Sequence, residues 1–203
     1  MTSVAAGGTS RQIISARGLG RRLGDRPVLS GVDLDIEAGA FLLVTGPNGS
    51  GKTTLLRLLA GLLAPTAGTL EVDTDRGRMG FLGHEALVYG ELTAVENLDL
   101  YGRLYRVPER RERIGMLLER FGLWDDRAEQ TATLSRGMLQ RLALCRTLLH
   151  DPELLLLDEP FSALDTEGAE LLDAELGDHG RRTVVLATHQ PDRSRRSPRK
   201  AWP

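Results

Sequence analysis

From Val32 to Ile36 apolar and polar residues alternate (Val-Asp-Leu-Asp-Ile), a period of two that suits a strand with one wet face. Three later runs, Phe41–Val44, Leu154–Leu157 and Thr183–Ala187, are apolar with little interruption. Short continuous runs of this kind fit strands buried on both faces, as in a parallel sheet covered by helices. A helix, Leu55–Leu63, follows the first of them. Beyond it the period becomes helical. Ile114, Leu117, Leu118 and Phe121 recur at i, i+3, i+4 and i+7, and Gly122 is placed to end that helix. Ser135 is a cap residue for another helix, whose Leu139, Leu142, Ala143 and Arg146 run toward the Asp151-Pro152 turn. The pattern predicts an α/β core, residues 13–84 and 151–192, with a helical lobe inserted over 85–150. Residues 1–12 read as a frayed tail. The basic stretch 193–203 reads as unstructured, either solvated or in weak contact with anionic lipid.

Composition narrows the classes. A chain of 203 residues has room for one substantial core, or a core and a small lobe. With 41% hydrophobic residues it is too apolar for a disordered chain, and 26 Lys+Arg against 28 Asp+Glu give no reason to expect nucleic acid as partner. Cys145 is the only cysteine, which excludes an intramolecular disulfide and a cysteine-rich zinc site. No run approaches the ~18–20 apolar residues of a membrane helix. Arg57 interrupts Leu55–Leu63, and Asp158 closes Leu154–Leu157. Residues 1–12 lack the apolar stretch of a secretory signal, so a soluble, cytosolic chain is expected.

The chemistry starts at Gly46-Pro47-Asn48-Gly49-Ser50-Gly51-Lys52-Thr53, which fits the phosphate-loop pattern. It stands between the buried strand Phe41–Val44 and the helix Leu55–Leu63, the context that gives the pattern its meaning. Glycines let backbone N–H groups turn inward around an anion, and the helix N-terminus adds its positive partial charge. Lys52 is expected to reach the β- and γ-phosphates and Thr53 to coordinate Mg²⁺. A second element follows Leu154–Leu157: Asp158, placed for the magnesium shell, and Glu159, placed to polarise an attacking water.

These residues resemble the ATP-binding-cassette (ABC) ATPases, and the resemblance covers about residues 12–190. Leu134-Ser135-Arg136-Gly137-Met138-Leu139-Gln140-Arg141 is similar to the family's signature motif. The resemblance implies that Ser135 and Gly137 grip the γ-phosphate of the ATP held by a second, facing copy. Ser162-Ala163-Leu164-Asp165 matches the loop that couples the two sites, and Thr188-His189 stands where the family keeps a switch histidine. The implied fold is a P-loop NTPase (RecA-like) core with a mainly parallel sheet, an N-terminal antiparallel β subdomain and an inserted helical signature lobe. The implied cofactors are ATP, held by residues 46–53 with Thr54, and Mg²⁺. The implied catalytic residues are Lys52, Glu159 and His189.

The chain departs from the family's pattern in three places. Arg136 and Met138 replace the usual Gly and Gln of the signature. His84 occupies the position of a glutamine that touches magnesium and the membrane partner, which makes it a candidate metal-site residue. No Phe, Tyr or Trp precedes Phe41, so Leu23 takes the place of the aromatic that stacks on adenine. Gly83-His84, Ser135-Arg-Gly-Met138 and Thr188-His-Gln-Pro191 are similar to the ATPase of the cytochrome c maturation haem exporter. That likeness implies haem export, or release of a haem-loaded chaperone, through transmembrane permease subunits. It also implies a peripheral place on the cytoplasmic face of the inner membrane. Another exporter of the family, for a drug, antibiotic or lipid, is the alternative. A DNA-bound clamp ATPase needs a long coiled-coil insertion for which Lys52 and Asp158 stand too close, and a nucleotide-gated module without turnover would not need Glu159 and His189.

Overall fold

The computed structural model of the chain describes residues 11–177, 182–190 and 200–202. Three antiparallel strands, β1 (Gln12–Leu23), β2 (Arg26–Glu37) and β4 (Ala67–Val72), form one sheet in the order β2-β1-β4. The second sheet is parallel: β3 (Phe41–Thr45), β5 (Met79–Leu82), β6 (Leu154–Asp158), β7 (Thr183–Thr188) and β8 (Lys200–Trp202), in the order β5-β6-β7-β3-β8. The helices are α1 (Lys52–Leu59), α2 (Ala94–Leu104), α3 (Arg110–Arg120), α4 (Arg136–Leu148) and α5 (Thr166–Gly177).

The three apolar runs are central strands of the parallel sheet, and each is buried on both faces. Leu43, Leu155, Leu157, Val184 and Leu186 pack toward the helical lobe, with Leu98, Leu117, Phe121 and Leu142. Their neighbours Leu42, Val44, Leu154, Leu156, Val185 and Ala187 pack toward α1 and the antiparallel sheet, with Leu55, Leu56, Ile13 and Ile14. Alternation of side chains across a strand therefore divides one sheet between two apolar layers. Each fully buried Leu contributes roughly 1.5–3 kcal/mol, so this sheet is a stiff base for the loops at its carboxyl ends.

In the lobe, Ser135 caps α4, its hydroxyl accepting from Met138 N at 3.2 Å. Gly122, in the left-handed region at φ 62°, follows the last turn of α3, as its position in the pattern predicts. Thr93 and Glu96 form a reciprocal capping box at the start of α2. The lobe is tied to the core by ions as well as by apolar contact. Glu175 on α5 accepts from Arg120 on α3 at 2.7 Å and from Arg182 at 2.6 Å.

Both ends differ from the sequence expectation. Arg11 and Gln12, read as tail, belong to the fold: Arg11 pairs with Asp73 at 2.7 Å and with Glu153 at 2.5 Å, and β1 starts at Gln12. Of the basic tail, Lys200–Trp202 adds a parallel strand to the free edge of β3, where backbone groups are available for pairing. Residues 1–10, 193–199 and 203 lie outside the described residues.

Candidate nucleotide site

The loop between β3 and α1 is built on glycine. Gly51 caps α1 with φ 99°, and a Cβ there would stand 2.8 Å from Leu29 Cδ2 and 3.0 Å from Val28 O. No side chain caps α1, and its first turn holds no acidic residue. The helix thus presents unpaired N–H groups and a positive partial charge to the loop. Lys52, only 8% exposed, folds back over that loop and donates to Gly46 O at 2.8 Å and Pro47 O at 3.2 Å.

Facing it, at the end of β6, are the two carboxylates. Asp158 is buried, and burial pushes its carboxyl above the usual range against the pull of a Thr53 hydrogen bond and the Lys52 charge. Its Oδ1 has no hydrogen-bond partner among the described residues. An orphaned buried carboxylate oxygen beside a threonine hydroxyl is a hard, all-oxygen donor pair, which fits Mg²⁺ and the phosphates that would complete its shell. Glu159 takes a left-handed backbone, φ 49°, and its N–H donates to Ala187 O. That turn aims its carboxylate at β7: Oε1 accepts from His189 N at 2.8 Å and lies 2.9 Å from His189 Nδ1, while Oε2 accepts from Thr188 Oγ1 at 3.0 Å.

Lys52, Thr53, Thr54, Asp158, Glu159 and His189 line one cleft of about 400 Å³, together with Asn48, Gly49, Gly51 and His84. The fold thus gathers residues from three separate parts of the chain, and places His84 with them. Leu23 is 54% exposed near the end of β1 and is not among the residues lining this cleft; Val28, on β2, is. Ser135 and Gly137 do not line it either. Gly137 faces the loop after the acid pair, its Cβ direction meeting Ala163 O at 3.4 Å. Arg141, one helical turn on from Gly137, lies 3.9 Å from Asp165 and 3.6 Å from Glu167, and so ties α4 to that loop and to the first turn of α5. Ser162, Thr188 and Gln190 stood in motifs that the sequence offered, without a side-chain role; Val28, which also lines the cleft, carried no signal.

A family model described as ABC transporter matches residues 29–162. The chain belongs to this family. It is an ABC-type ATPase domain, an ATP-hydrolysing enzyme of transport. Among the described residues no helix is long and apolar enough to cross a membrane. The chain is 42% identical to the daunorubicin resistance ATP-binding protein DrrA3 of Streptomyces coeruleorubidus, over 87% of its own length but 60% of that relative's. It is 41% and 36% identical to the cytochrome c biogenesis ATP-binding export protein CcmA of Pseudomonas putida and of Haemophilus influenzae, each over 87% of this chain and 89% of the relative. Among solved structures, a post-hydrolysis dimer of the ATP-binding cassette MJ0796 bound to ADP and Pi matches with TM-score 0.77 at 30% identity, covering 90% of both chains.

Proposed function

We propose that this chain is the ATPase of an exporter in cytochrome c biogenesis, driving haem export or the release of a haem-loaded chaperone. It acts peripherally on the cytoplasmic face of the inner membrane. The supporting observation is the 41% and 36% identity to CcmA of two organisms over 87% of this chain, beside the likeness at Gly83-His84, Ser135–Met138 and Thr188–Gln190. The higher identity to DrrA3 favours the second reading, a drug exporter. The proposed unit is one ATPase over residues 13–192, with 85–150 as the signature lobe.

In the proposed cycle, residues 46–54 wrap the phosphates with backbone N–H groups. Lys52 exchanges its bonds to Gly46 O and Pro47 O for phosphate oxygens, which a carbonyl pair cannot match in charge. Thr53 and Asp158, with His84 beside them in the cleft, would hold Mg²⁺, which supplies neutralisation of the phosphate charge. Glu159, fixed by Thr188 and His189, accepts the proton of the attacking water. Ser135 and Gly137 stand apart from their own chain's cleft, and serve the ATP of the second copy. Leu23, outside the cleft wall, is a peripheral contact for adenine at most.

Complementation tests the cargo. In a bacterium lacking its own cytochrome c maturation ATPase, this chain expressed with its cognate permease should restore haem-loaded cytochrome c, and Glu159→Gln should not. Daunorubicin efflux without cytochrome c would favour the second reading and overturn the first.

A further inference from the structure

Residues 188–190 clasp Glu159 with a closed set of hydrogen bonds that extends one residue beyond the histidine. The Thr188 hydroxyl donates to Glu159 Oε2 and accepts from Gln190 N, both at 3.0 Å. The His189 ring puts Nδ1 2.9 Å from Glu159 Oε1, and its other nitrogen, Nε2, lies 3.0 Å from Gln190 Nε2. A neutral imidazole carries one N–H. Against a carboxylate that proton belongs on Nδ1, because a bare Nδ1 would set a lone pair against an anion. Nε2 is then an acceptor, and the group it meets is the amide N–H of Gln190. The reverse arrangement, with the Gln190 carbonyl toward Nε2, would demand a second ring proton. The donors and acceptors from Gln190 N to Glu159 therefore agree on a single pattern.

We propose that Gln190 is a positioning residue: its side-chain amide donates to His189 Nε2 and, with Glu159 on the ring's other nitrogen, holds the ring in place as the Nδ1–H tautomer. Two consequences follow for hydrolysis. The ring proton is shared with Glu159, which keeps the carboxylate oriented. Nε2 meanwhile carries a lone pair, so it must gain a proton before it donates to a phosphate oxygen, and the Gln190 amide must turn over or release it. Gln190 thereby sets how readily His189 changes partner. The charged and titratable groups around this ring are Glu159 itself, Lys52 at 3.6 Å from the same Glu159 oxygen, and Asp158 and His84 in the cleft wall.

The consequence for hydrolysis rests on the reading of Glu159 and His189 above; the tautomer does not. The test is nitrogen-15 NMR of the imidazoles in the full chain, with ATPase kinetics on the same samples, for wild type, Gln190→Leu and Gln190→Glu. Wild-type neutral His189 should show a protonated Nδ1 and a bare Nε2. In Gln190→Leu the proton should stay on Nδ1 against Glu159, but the Nε2 signal should shift as its donor is lost and kcat fall about three- to tenfold at unchanged KM, as for one lost hydrogen bond. Gln190→Glu, whose carboxylate offers Nε2 an acceptor and no donor, should displace the Nε2 signal toward that of a protonated nitrogen. A wild-type ring protonated on Nε2, or identical nitrogen signals and kcat in Gln190→Leu, would overturn the proposal. His189→Ala separates the two levels. If it leaves ATPase intact, the hydrolytic role of His189 fails while the tautomer result stands.

Discussion

The Lys52 ammonium lies 3.6 Å from the Glu159 carboxylate across the cleft, with Lys52 almost wholly buried. One cation thus stands between the loop carbonyls that hold it and the carboxylate proposed as the base. A γ-phosphate, with more charge than either, should take Lys52 over and free Glu159 for water.

That relationship makes Lys52 the anchor for nucleotide. Charge-assisted hydrogen bonds contribute about 1.5–3 kcal/mol each, so Lys52→Ala should weaken binding of a non-hydrolysable ATP analogue by roughly tenfold to a hundredfold or more. Calorimetric titration checks this. An unchanged Kd would place the phosphate elsewhere.

A second prediction concerns the joint between lobe and core. The His150 ring stacks on Tyr105 at 4.1 Å, and its Nε2 lies 3.1 Å from Met79 O. Its Nδ1 is buried with no partner among the described residues. Burial holds this histidine below 6.5, opposed by the hydrogen bond to Met79 O and the charge of Asp151 and aided by the charges of Arg146 and Arg113. The unfolded chain therefore binds the proton more readily than the folded one. Stability should be fully present above pH 6.5 and fall as pH drops through 6.5 toward the lowered folded value. Urea denaturation between pH 5 and 8 should show this slope in wild type and a reduced one in His150→Gln. Equal slopes would assign the acid sensitivity to other groups.

A third prediction concerns assembly. Ser135 and Gly137 do not line their own chain's cleft, so the signature should complete the site of a second copy. With Glu159→Gln to arrest turnover, ATP should convert monomer to dimer in light scattering. Adding Ser135→Arg should abolish that conversion. A mass independent of ATP, or a dimer that tolerates Ser135→Arg, would contradict action in trans.

Much of the core was legible because its strands are buried on both faces. Phe41–Val44, Leu154–Leu157 and Thr183–Ala187 each lie within one strand of the parallel sheet. The phosphate loop and acid pair were legible because close backbone approach admits so few residues, as Gly51 against Leu29 and Val28 illustrates. β1 was not. Its register shifts between Gln12 and Ile14 and again between Ala16 and Leu19, so Ile13, Ile14, Ala16 and Leu19 are all buried without a period of two. α2 carried a legible sign, the Thr93–Glu96 capping box, that periodicity alone passed over. Leu23 is exposed at the end of β1 and does not line the cleft, whereas Val28, which carried no sign in the sequence, does. The hydrogen bonds of Thr188 and His189 to Glu159, about thirty residues away in the chain, are tertiary, and no pattern along the chain specifies them.

The most direct test of hydrolysis at this site compares steady-state ATP turnover with ATP binding in wild type and Glu159→Gln. The substitution keeps the side chain's shape and removes its basicity, so turnover should fall by ~10²–10⁴ while ATP remains bound. A Glu159→Gln chain that retains half of the wild-type rate would contradict the assignment of Glu159 as the group that takes the proton from water.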